Sequence, residues 1–155
     1  MESVLEKRVT KEGRLLMEKY RNLKIEYIDD SSEYLINVSL TIKGKILCFF
    51  LSKHYPFRVP MLHVNGTDYM QLISFSFPDL QCYLEKINKL CLCCSSLLCS
   101  NNWKPAVKLM NVIEEYENIN KIIRKCLYKK YIRIVCNHYN IFIEEIVETI
   151  TKFID

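Results

Sequence analysis

The sequence predicts an α+β fold, in a single domain over residues 1–155, with an N-terminal helix, a small antiparallel β-meander and C-terminal helices. Two observations lead to this prediction: apolar residues follow a helical repeat near both ends of the chain, and a two-residue repeat lies between them. A chain of 155 residues, half of them apolar, is large enough for one core and small for two. We therefore expect one core.

The N-terminal helix is predicted over Lys11 to Leu23. Leu15, Leu16, Tyr20 and Leu23 recur there at helical spacing, and the charged residues fall mostly on the other side. This is the pattern of a short amphipathic helix that packs on a core along one stripe.

The meander is predicted from three apolar segments and the turns between them. Tyr34 to Ile42 alternates apolar and polar positions, as a half-buried strand does. Lys43-Gly44-Lys45 closes a hairpin, and Ile46 to Leu51 is apolar throughout, as in a central strand covered on both faces. A third strand, Met61 to Val64, stops at Asn65-Gly66.

Three helices are predicted in the second half of the chain. One starts at Ala106 and carries an apolar stripe to Tyr116, with Pro105 in its first turn. The others cover Ile122 to Val135 and Ile141 to Ile154. The basic residues of 121–133 are expected on a solvated helix face, with an acidic partner or a membrane surface as the alternative.

Composition and charge exclude several classes of protein. A formal charge of +4 is too small for nucleic-acid binding by charge alone, and no apolar run approaches the length of a membrane span. The segment Met1 to Arg8 has no apolar core of a secretory signal, so we expect the cytoplasm or the nucleus. There the eight cysteines are expected to be mostly reduced.

Three short segments carry the functional information. In Tyr55-Pro56-Phe57-Arg58-Val59-Pro60, two prolines stiffen a loop after a strand. In Leu90-Cys91-Leu92, two apolar neighbours would anchor the backbone and hold a thiol at the edge of the protein. Trp103-Lys104-Pro105-Ala106 begins twelve positions after Cys91. A thiol held in this way suits a nucleophile.

In this order, these segments resemble the ubiquitin-conjugating enzyme family. The resemblance consists of Arg-Leu-x-x-Glu in the first helix (Arg14 to Glu18), a meander, Tyr-Pro-Phe-x-x-Pro, Cys-Leu, Trp-x-Pro-Ala and then helices. It spans most of the chain and depends on the order of the motifs more than on any one of them. The distance from Cys91 to Trp103 is similar to that in the branch with a short insertion behind the cysteine. The resemblance implies a UBC-like fold.

The resemblance also implies a function. A divergent conjugating enzyme would receive ubiquitin or a ubiquitin-like protein from an activating enzyme as a thioester on Cys91, and pass it to a lysine or a ligase. Arg14 would lie on the helix that meets the activating enzyme. Phe57, Pro105 and Ala106 would form the apolar patch for a ligase or another conjugating enzyme. No cofactor or metal is implied.

The sequence departs from the family ahead of the cysteine, and this keeps a second interpretation open. Cys82-Tyr83-Leu84 stands where the family usually has His-Pro-Asn. An oxyanion would then need a backbone N–H or one of Asn88, Asn101 and Asn102. The alternative is a catalytically inactive conjugating-enzyme variant or RWD-type domain that acts as a protein-interaction scaffold.

Other cysteines compete with Cys91 for the same role. Cys94 lies nine positions before Trp103, which is nearer the commoner family spacing. Cys91-x-x-Cys94 also has the spacing of zinc ligands, for which Cys136-x-His138 is the only second pair. Cysteines inside apolar patterns are expected to pack in the core: Cys48, Cys126 and Cys136.

Overall fold

The computed structural model describes residues 3–28 and 32–139, and it has the predicted α+β class, with helices at both ends of an antiparallel sheet. The elements of this part of the chain are α1 (Val4–Lys19), β1 (Lys24–Tyr27), β2 (Tyr34–Ile42), β3 (Lys45–Ser52), β4 (Met61–Val64), β5 (Thr67–Asp68), α2 (Tyr69–Leu72), α3 (Pro78–Lys86), α4 (Leu92–Ser95) and α5 (Leu109–His138). No helix among the described residues is both long enough and apolar enough to cross a membrane.

The sheet is a meander, as predicted. Each strand pairs antiparallel with the next one, in the order β1-β2-β3-β4-β5. Lys43 and Gly44 both have positive φ, as do Asn65 and Gly66, so two tight turns follow the right-handed twist of the strands they join. Strands β1 and β5 were not predicted, because the first follows the helix closely and the second has two residues.

Strand β3 is central in the sheet, but the prediction that both of its faces are covered is wrong. Three side chains on one face are fully buried: Leu47, Phe49 and Leu51. On the other face Ile46 is 52% exposed, and Phe50 is half-buried between the rings of Tyr34 and His63. The apolar run therefore reflects side chains that pack on one another across the outer face, rather than a second covering layer.

Helix α1 begins at Val4 rather than at Lys11, because Ser3 and Glu6 form a capping box ahead of it. The Glu6 N–H donates to Ser3 Oγ at 3.1 Å, and the Ser3 N–H donates to the Glu6 carboxylate at 2.7 Å. The helix ends at Lys19, short of the predicted Leu23. Leu15, expected on the buried stripe, is partly exposed, since the adjacent Leu16 faces the core.

The helices predicted over 106–116 and 122–135 are one continuous helix, α5, of 30 residues. No glycine or proline separates them, so helical hydrogen bonding continues through. Because α5 begins at Leu109, Pro105 lies in the preceding turn, and its predicted place in the first turn is wrong. The predicted helix Ile141 to Ile154 lies outside the described residues.

Helices α1, α3 and α5 pack with the inner face of the sheet around one apolar core. Leu16, Leu80 and Val112 are examples of side chains that these helices bury in it. Cys126 belongs to this core and Cys136 is also buried, as predicted. Cys48 is only half-buried, because it lies on the outer face of β3.

Candidate functional site

The predicted nucleophile lies in a segment of residues 91–99 that follows α3, which we call the cysteine loop. Cys91 has extended backbone and caps the N-terminus of α4. The backbone N–H of Cys94 donates to Cys91 Sγ at 3.1 Å, and the sulfur atoms of Cys91 and Cys93 are also 3.1 Å apart. Cys91 is half-buried and Cys94 is exposed. The two competing thiols are therefore neighbours with different surroundings.

Only one of the two predicted anchors beside the cysteine reaches the core. Leu92 is buried, but Leu90 is 89% exposed, so the prediction for Leu90 is wrong. Leu90 lies in the segment between α3 and α4, outside the core cluster. Of the two neighbours of Cys91, only Leu92, on its C-terminal side, anchors the backbone in the core.

The ionisation of the three thiols of Cys91, Cys93 and Cys94 is coupled, so that a thiolate at one of them disfavours a thiolate at the others. Hydrogen bonds from Cys94 and then Cys93 to its sulfur lower the pKa of Cys91. The same interaction with Cys91 raises the pKa of Cys93, and it raises the pKa of Cys94 to about 12. Thiolate therefore forms first at Cys91, because its neighbours donate to it and a second charge would be repelled.

Helix α5 and a nearby asparagine hold the cysteine loop in place. The carboxylate of Glu115 accepts from the Ser96 hydroxyl at 2.6 Å and from the Leu97 N–H at 2.7 Å. The side-chain amide of Asn102 donates to the carbonyls of Cys94 and Ser96, both at 2.8 Å. The loop is therefore fixed by its backbone while its thiols remain near the surface.

The three asparagines predicted as possible oxyanion donors lie in surroundings that the sequence did not predict. The amide of Asn102 is used by the loop carbonyls. Asn88 has a left-handed φ of 53° at the end of α3, where the Lys89 N–H donates to the Leu84 carbonyl. Asn101 is exposed. The backbone N–H near Cys91, that of Cys94, donates to the sulfur itself, so a backbone donor to an oxyanion stays a prediction.

The segment that replaces His-Pro-Asn is part of a helix. Cys82, Tyr83 and Leu84 lie inside α3, with Leu84 buried, Tyr83 half-buried and Cys82 exposed. No side chain of these types can supply an amide donor.

The structure brings two of the predicted partner-binding segments together. The indole N–H of Trp103 donates to the Pro56 carbonyl at 2.8 Å, and the Trp103 and Tyr55 ring centroids are 6.0 Å apart. This contact joins the proline loop, residues 55–60, to the turn at 103–106. Phe57, which is 72% exposed, lies on the first of these segments. Pro105 and Ala106 are exposed on the second.

A buried carboxylate that the sequence analysis missed organises the same region. Glu12 accepts from the Tyr55 hydroxyl at 2.7 Å, from the Leu109 N–H at 2.6 Å and from the Arg8 guanidinium. Arg8 also donates to the Val107 carbonyl at 2.8 Å. Burial, with Glu12 nearby, raises the pKa of Tyr55. This Glu12 network ties α1 to the proline loop and to the start of α5.

The sequence did contain a signal for this network. Arginine, an apolar residue and a glutamate recur at the same spacing twice in α1, at Arg8 to Glu12 and at Arg14 to Glu18. The second copy is the one that matches the family motif, but Arg14 and Glu18 are both exposed. Arg14 is placed where a partner can reach it, and the buried copy has a structural role.

The three sulfur atoms of Cys91, Cys93 and Cys94 lie within 4.8 Å of one another, close enough for thiolate ligands of one metal ion. In the part of the chain that the structure describes, Cys136 and His138 do not join this group. The second half of the predicted zinc site is therefore not assembled with the first.

Comparisons of the chain with protein-family models, curated proteins and solved structures find no match in any of the three. The residues of the site themselves indicate what it can do. They provide a half-buried thiol with a lowered pKa, a loop fixed to the longest described helix, and two segments with exposed apolar residues that are joined through Trp103.

Proposed function

We propose that this protein is a divergent ubiquitin or ubiquitin-like conjugating enzyme with a UBC-like fold, which carries its modifier as a thioester on Cys91. The observation that carries the proposal is the asymmetry of the cysteine loop. Cys91 is the thiol toward which Cys94 donates a backbone N–H, and its ionisation suppresses that of Cys93 and Cys94. A loop with one favoured thiolate suits a carrier of an acyl group.

The arrangement of the described elements supports the same proposal. A capped helix, an antiparallel meander, a proline loop, a cysteine loop and a long helix follow one another, which is the order that the resemblance implies. Trp103 joins the proline loop to the turn before α5, so two segments of the resemblance meet in one region.

The chemistry proposed is thioester exchange. The Cys91 thiolate attacks the thioester carbonyl that joins the modifier to the activating enzyme, and the cysteine thiolate of that enzyme leaves. In the second step a lysine amine or a ligase thiolate attacks the new carbonyl, and the Cys91 thiolate leaves. An attacking amine also loses a proton to solvent or to a base. A stable thiolate favours Cys91 as the leaving group, although it lowers the nucleophilicity of the attacking sulfur.

Two surfaces are proposed to meet the partners. Arg14 is exposed on α1 and is proposed to contact the activating enzyme. Phe57, Pro105 and Ala106 are exposed on the two joined segments, and they are proposed to contact a ligase or another conjugating enzyme. An exposed aromatic side chain such as that of Phe57 is typical of protein interfaces.

The test is a charging assay. The purified protein is incubated with activating enzyme, ATP and ubiquitin, or with a related modifier and its own activating enzyme. A band heavier by one modifier on a non-reducing gel, lost on adding thiol and absent without ATP, is the expected result. No adduct with any modifier tested would contradict the enzyme proposal.

One observation favours the scaffold function as the second candidate. Among the described residues, the helical segment 82–84 carries no amide where the family has its asparagine, and the amide of Asn102 is bonded to the loop backbone. A scaffold would bind a ubiquitin-like protein or a conjugating enzyme with equal affinity in the wild type and in Cys91→Ala. Binding by both forms, without any charging, is the result expected for a scaffold.

A further inference from the structure

Three thiols of the cysteine loop form a cluster, of which thioester exchange uses only one. The sulfur atoms of Cys91, Cys93 and Cys94 lie within 4.8 Å of one another, and those of Cys91 and Cys93 are 3.1 Å apart. Within the described part of the chain, Cys99, the fourth cysteine of the loop, is not in this group. The proposed chemistry at Cys91 therefore gives no role to the two thiols beside it.

The thiols of Cys91 and Cys93 are close enough to be joined. Their sulfur atoms are about 1 Å farther apart than in a disulfide. Residues two positions apart have Cα atoms at most about 7.2 Å apart, and the distance here is shorter because Leu92 between them is helical. This is near the range that a disulfide spans. The backbone held by Glu115 and Asn102 therefore does not have to move far.

The cluster can be reached from solvent. Cys94 is exposed, and Cys91 and Cys93 are half-buried. The lowered pKa of Cys91 makes it the first of the three to ionise, and the thiolate is the form that is oxidised. Cysteines that respond to oxidation are typically accessible, readily ionised and next to a second thiol. Cys91 combines these features.

We propose that Cys91 and Cys93 form a site of reversible oxidation by peroxides, at which the two thiols become a disulfide. First, the Cys91 thiolate attacks one oxygen of hydrogen peroxide. An S–O bond forms, the O–O bond breaks, and the departing hydroxide takes a proton and leaves as water. The product at Cys91 is a sulfenic acid.

The second step closes the disulfide. The Cys93 thiol loses its proton, its sulfur attacks the Cys91 sulfur, and the S–O bond breaks. The hydroxide released combines with that proton as a second water. The two sulfur atoms have then given two electrons to the two oxygens of the peroxide.

The electrostatics of the cluster favour this order of steps. The hydrogen bond with Cys91, together with burial and the charge of Cys91, raises the pKa of Cys93. Cys93 therefore stays protonated while Cys91 is a thiolate. In the sulfenic acid the Cys91 sulfur no longer carries a charge, so Cys93 ionises more readily when it has to attack. Cys93 is assigned as the second thiol because its sulfur contacts that of Cys91, whereas the pKa of Cys94 is raised to about 12.

One consequence of the disulfide rests on the proposed function. Cys91 in a disulfide has no thiolate with which to attack a thioester, so the oxidised protein should not accept a modifier. Reduction by a thiol should restore charging. Formation of the disulfide itself does not depend on the proposed function.

The test treats reduced protein, freed of reductant, with hydrogen peroxide and without any activating enzyme. Remaining thiols are blocked with N-ethylmaleimide, and mass spectrometry counts them in the peptide that contains the loop. The expected product lacks two hydrogens and carries maleimide on Cys94 and Cys99 only. It should form at least about tenfold faster than any oxidation of Cys82, an exposed cysteine outside the cluster.

Two serine variants separate the assigned pair from general reactivity of the loop. Cys93→Ser should not form this disulfide, and the sulfenic acid of Cys91 should persist long enough to be trapped by dimedone. Cys99→Ser is the matched control, since Cys99 is half-buried in the same loop, and it should form the disulfide at the wild-type rate. Circular dichroism shows whether both variants remain folded.

Three results would overturn the proposal. They are loss of two hydrogens in Cys93→Ser at the wild-type rate, oxidation of wild-type Cys91 to sulfinic acid without a disulfide, and stoichiometric zinc on the thiols of the purified protein. The charging assay is read separately. Reduced protein that charges but forms no disulfide contradicts the oxidation site alone, and protein that forms the disulfide but never charges contradicts the proposed enzyme function alone.

Discussion

Two carboxylates, Glu12 and Glu115, each fix a different region of this molecule. Comparing them distinguishes a residue that stabilises the framework from one that positions the reactive thiols. Glu12 is buried and accepts three hydrogen bonds from three segments far apart in sequence. Glu115 is half-buried and holds the backbone of one loop through Ser96 and Leu97. The first joins elements of the framework, and the second positions a loop whose reactive groups stay accessible.

The difference follows from the cost of burying charge. A carboxylate taken out of water is tolerated only when its oxygen atoms are fully hydrogen-bonded and a cation pairs with it, as Arg8 does with Glu12. Glu115 retains solvent contact, so the loop that it holds is less tightly bound to the framework. Substitution of Glu12 should therefore mainly lower the free energy of unfolding, whereas substitution of Glu115 should mainly change the reactivity of the loop thiols.

The largest expected effect on stability comes from Glu12→Ala. It leaves Arg8 and the Tyr55 hydroxyl without their buried acceptor, so the free energy of unfolding should fall by about 3–5 kcal/mol. Urea denaturation followed by circular dichroism measures it. Glu18→Ala, on the exposed side of the same helix, should change it by less than about 0.5 kcal/mol. Similar values for the two variants would show that the Glu12 network does not hold the framework.

Glu115→Ala should have a smaller effect, confined to the cysteine loop. Loss of the acceptor for Ser96 and Leu97 should cost about 1–3 kcal/mol and increase the rate at which the loop thiols react with a maleimide. Glu114→Ala, which changes an exposed neighbour on α5, is the matched control and should affect neither. A rate unchanged in Glu115→Ala would mean that the loop is held by other contacts.

Trp103→Phe tests the contact between the proline loop and the turn before α5. It removes the indole donor to the Pro56 carbonyl, so the free energy of unfolding should fall by about 1 kcal/mol. Binding of a partner through Phe57 should weaken as the two segments separate. Phe57→Ala should weaken the same binding with little change in stability, because that ring is largely exposed. Wild-type stability in Trp103→Phe would argue against the contact.

The smallest effect on stability, and a distinct effect on reactivity, is expected from Cys94→Ala. The side-chain thiol of Cys94 is the largest cause of the lowered pKa of Cys91, and Cys94→Ala removes that thiol while it keeps the backbone N–H, so the pKa of Cys91 should rise. The alkylation rate of Cys91 by iodoacetamide should then reach half its maximum at a higher pH than in the wild type. Mass spectrometry of the alkylated cysteine follows it. An unchanged or lower midpoint would contradict the assignment of the donor.

Much of the fold was predictable, because local patterns specify it. The alternation in β2 and the turns at Lys43-Gly44 and Asn65-Gly66 predicted the meander correctly. The capping box at Ser3 and Glu6 was readable but was overlooked. The long continuous α5 was split because its apolar stripe is interrupted by polar residues, although nothing in 117–121 breaks a helix.

The site was harder to predict, since its interactions connect residues distant in sequence. The hydrogen bond between Glu12 and the Leu109 N–H connects residues 97 positions apart, and no local sequence pattern predicts it. In the sequence, Cys91 is favoured over Cys94 by its flanking leucines and by the register of 82–84, whereas the commoner spacing to Trp103 favours Cys94. Leu90 was misassigned because an apolar residue beside a turn has no pattern that separates buried from exposed.

The most direct measurement of the central claim compares Cys91→Ser and Cys94→Ser in the charging assay. Cys91→Ser should lose the thioester and form at most a thiol-resistant oxyester, because a serine hydroxyl attacks and leaves less readily than a thiolate. Cys94→Ser should keep a reducible adduct. Loss of charging in folded Cys94→Ser with full activity in Cys91→Ser would contradict the account, as would loss in both variants together with stoichiometric zinc in the purified wild type.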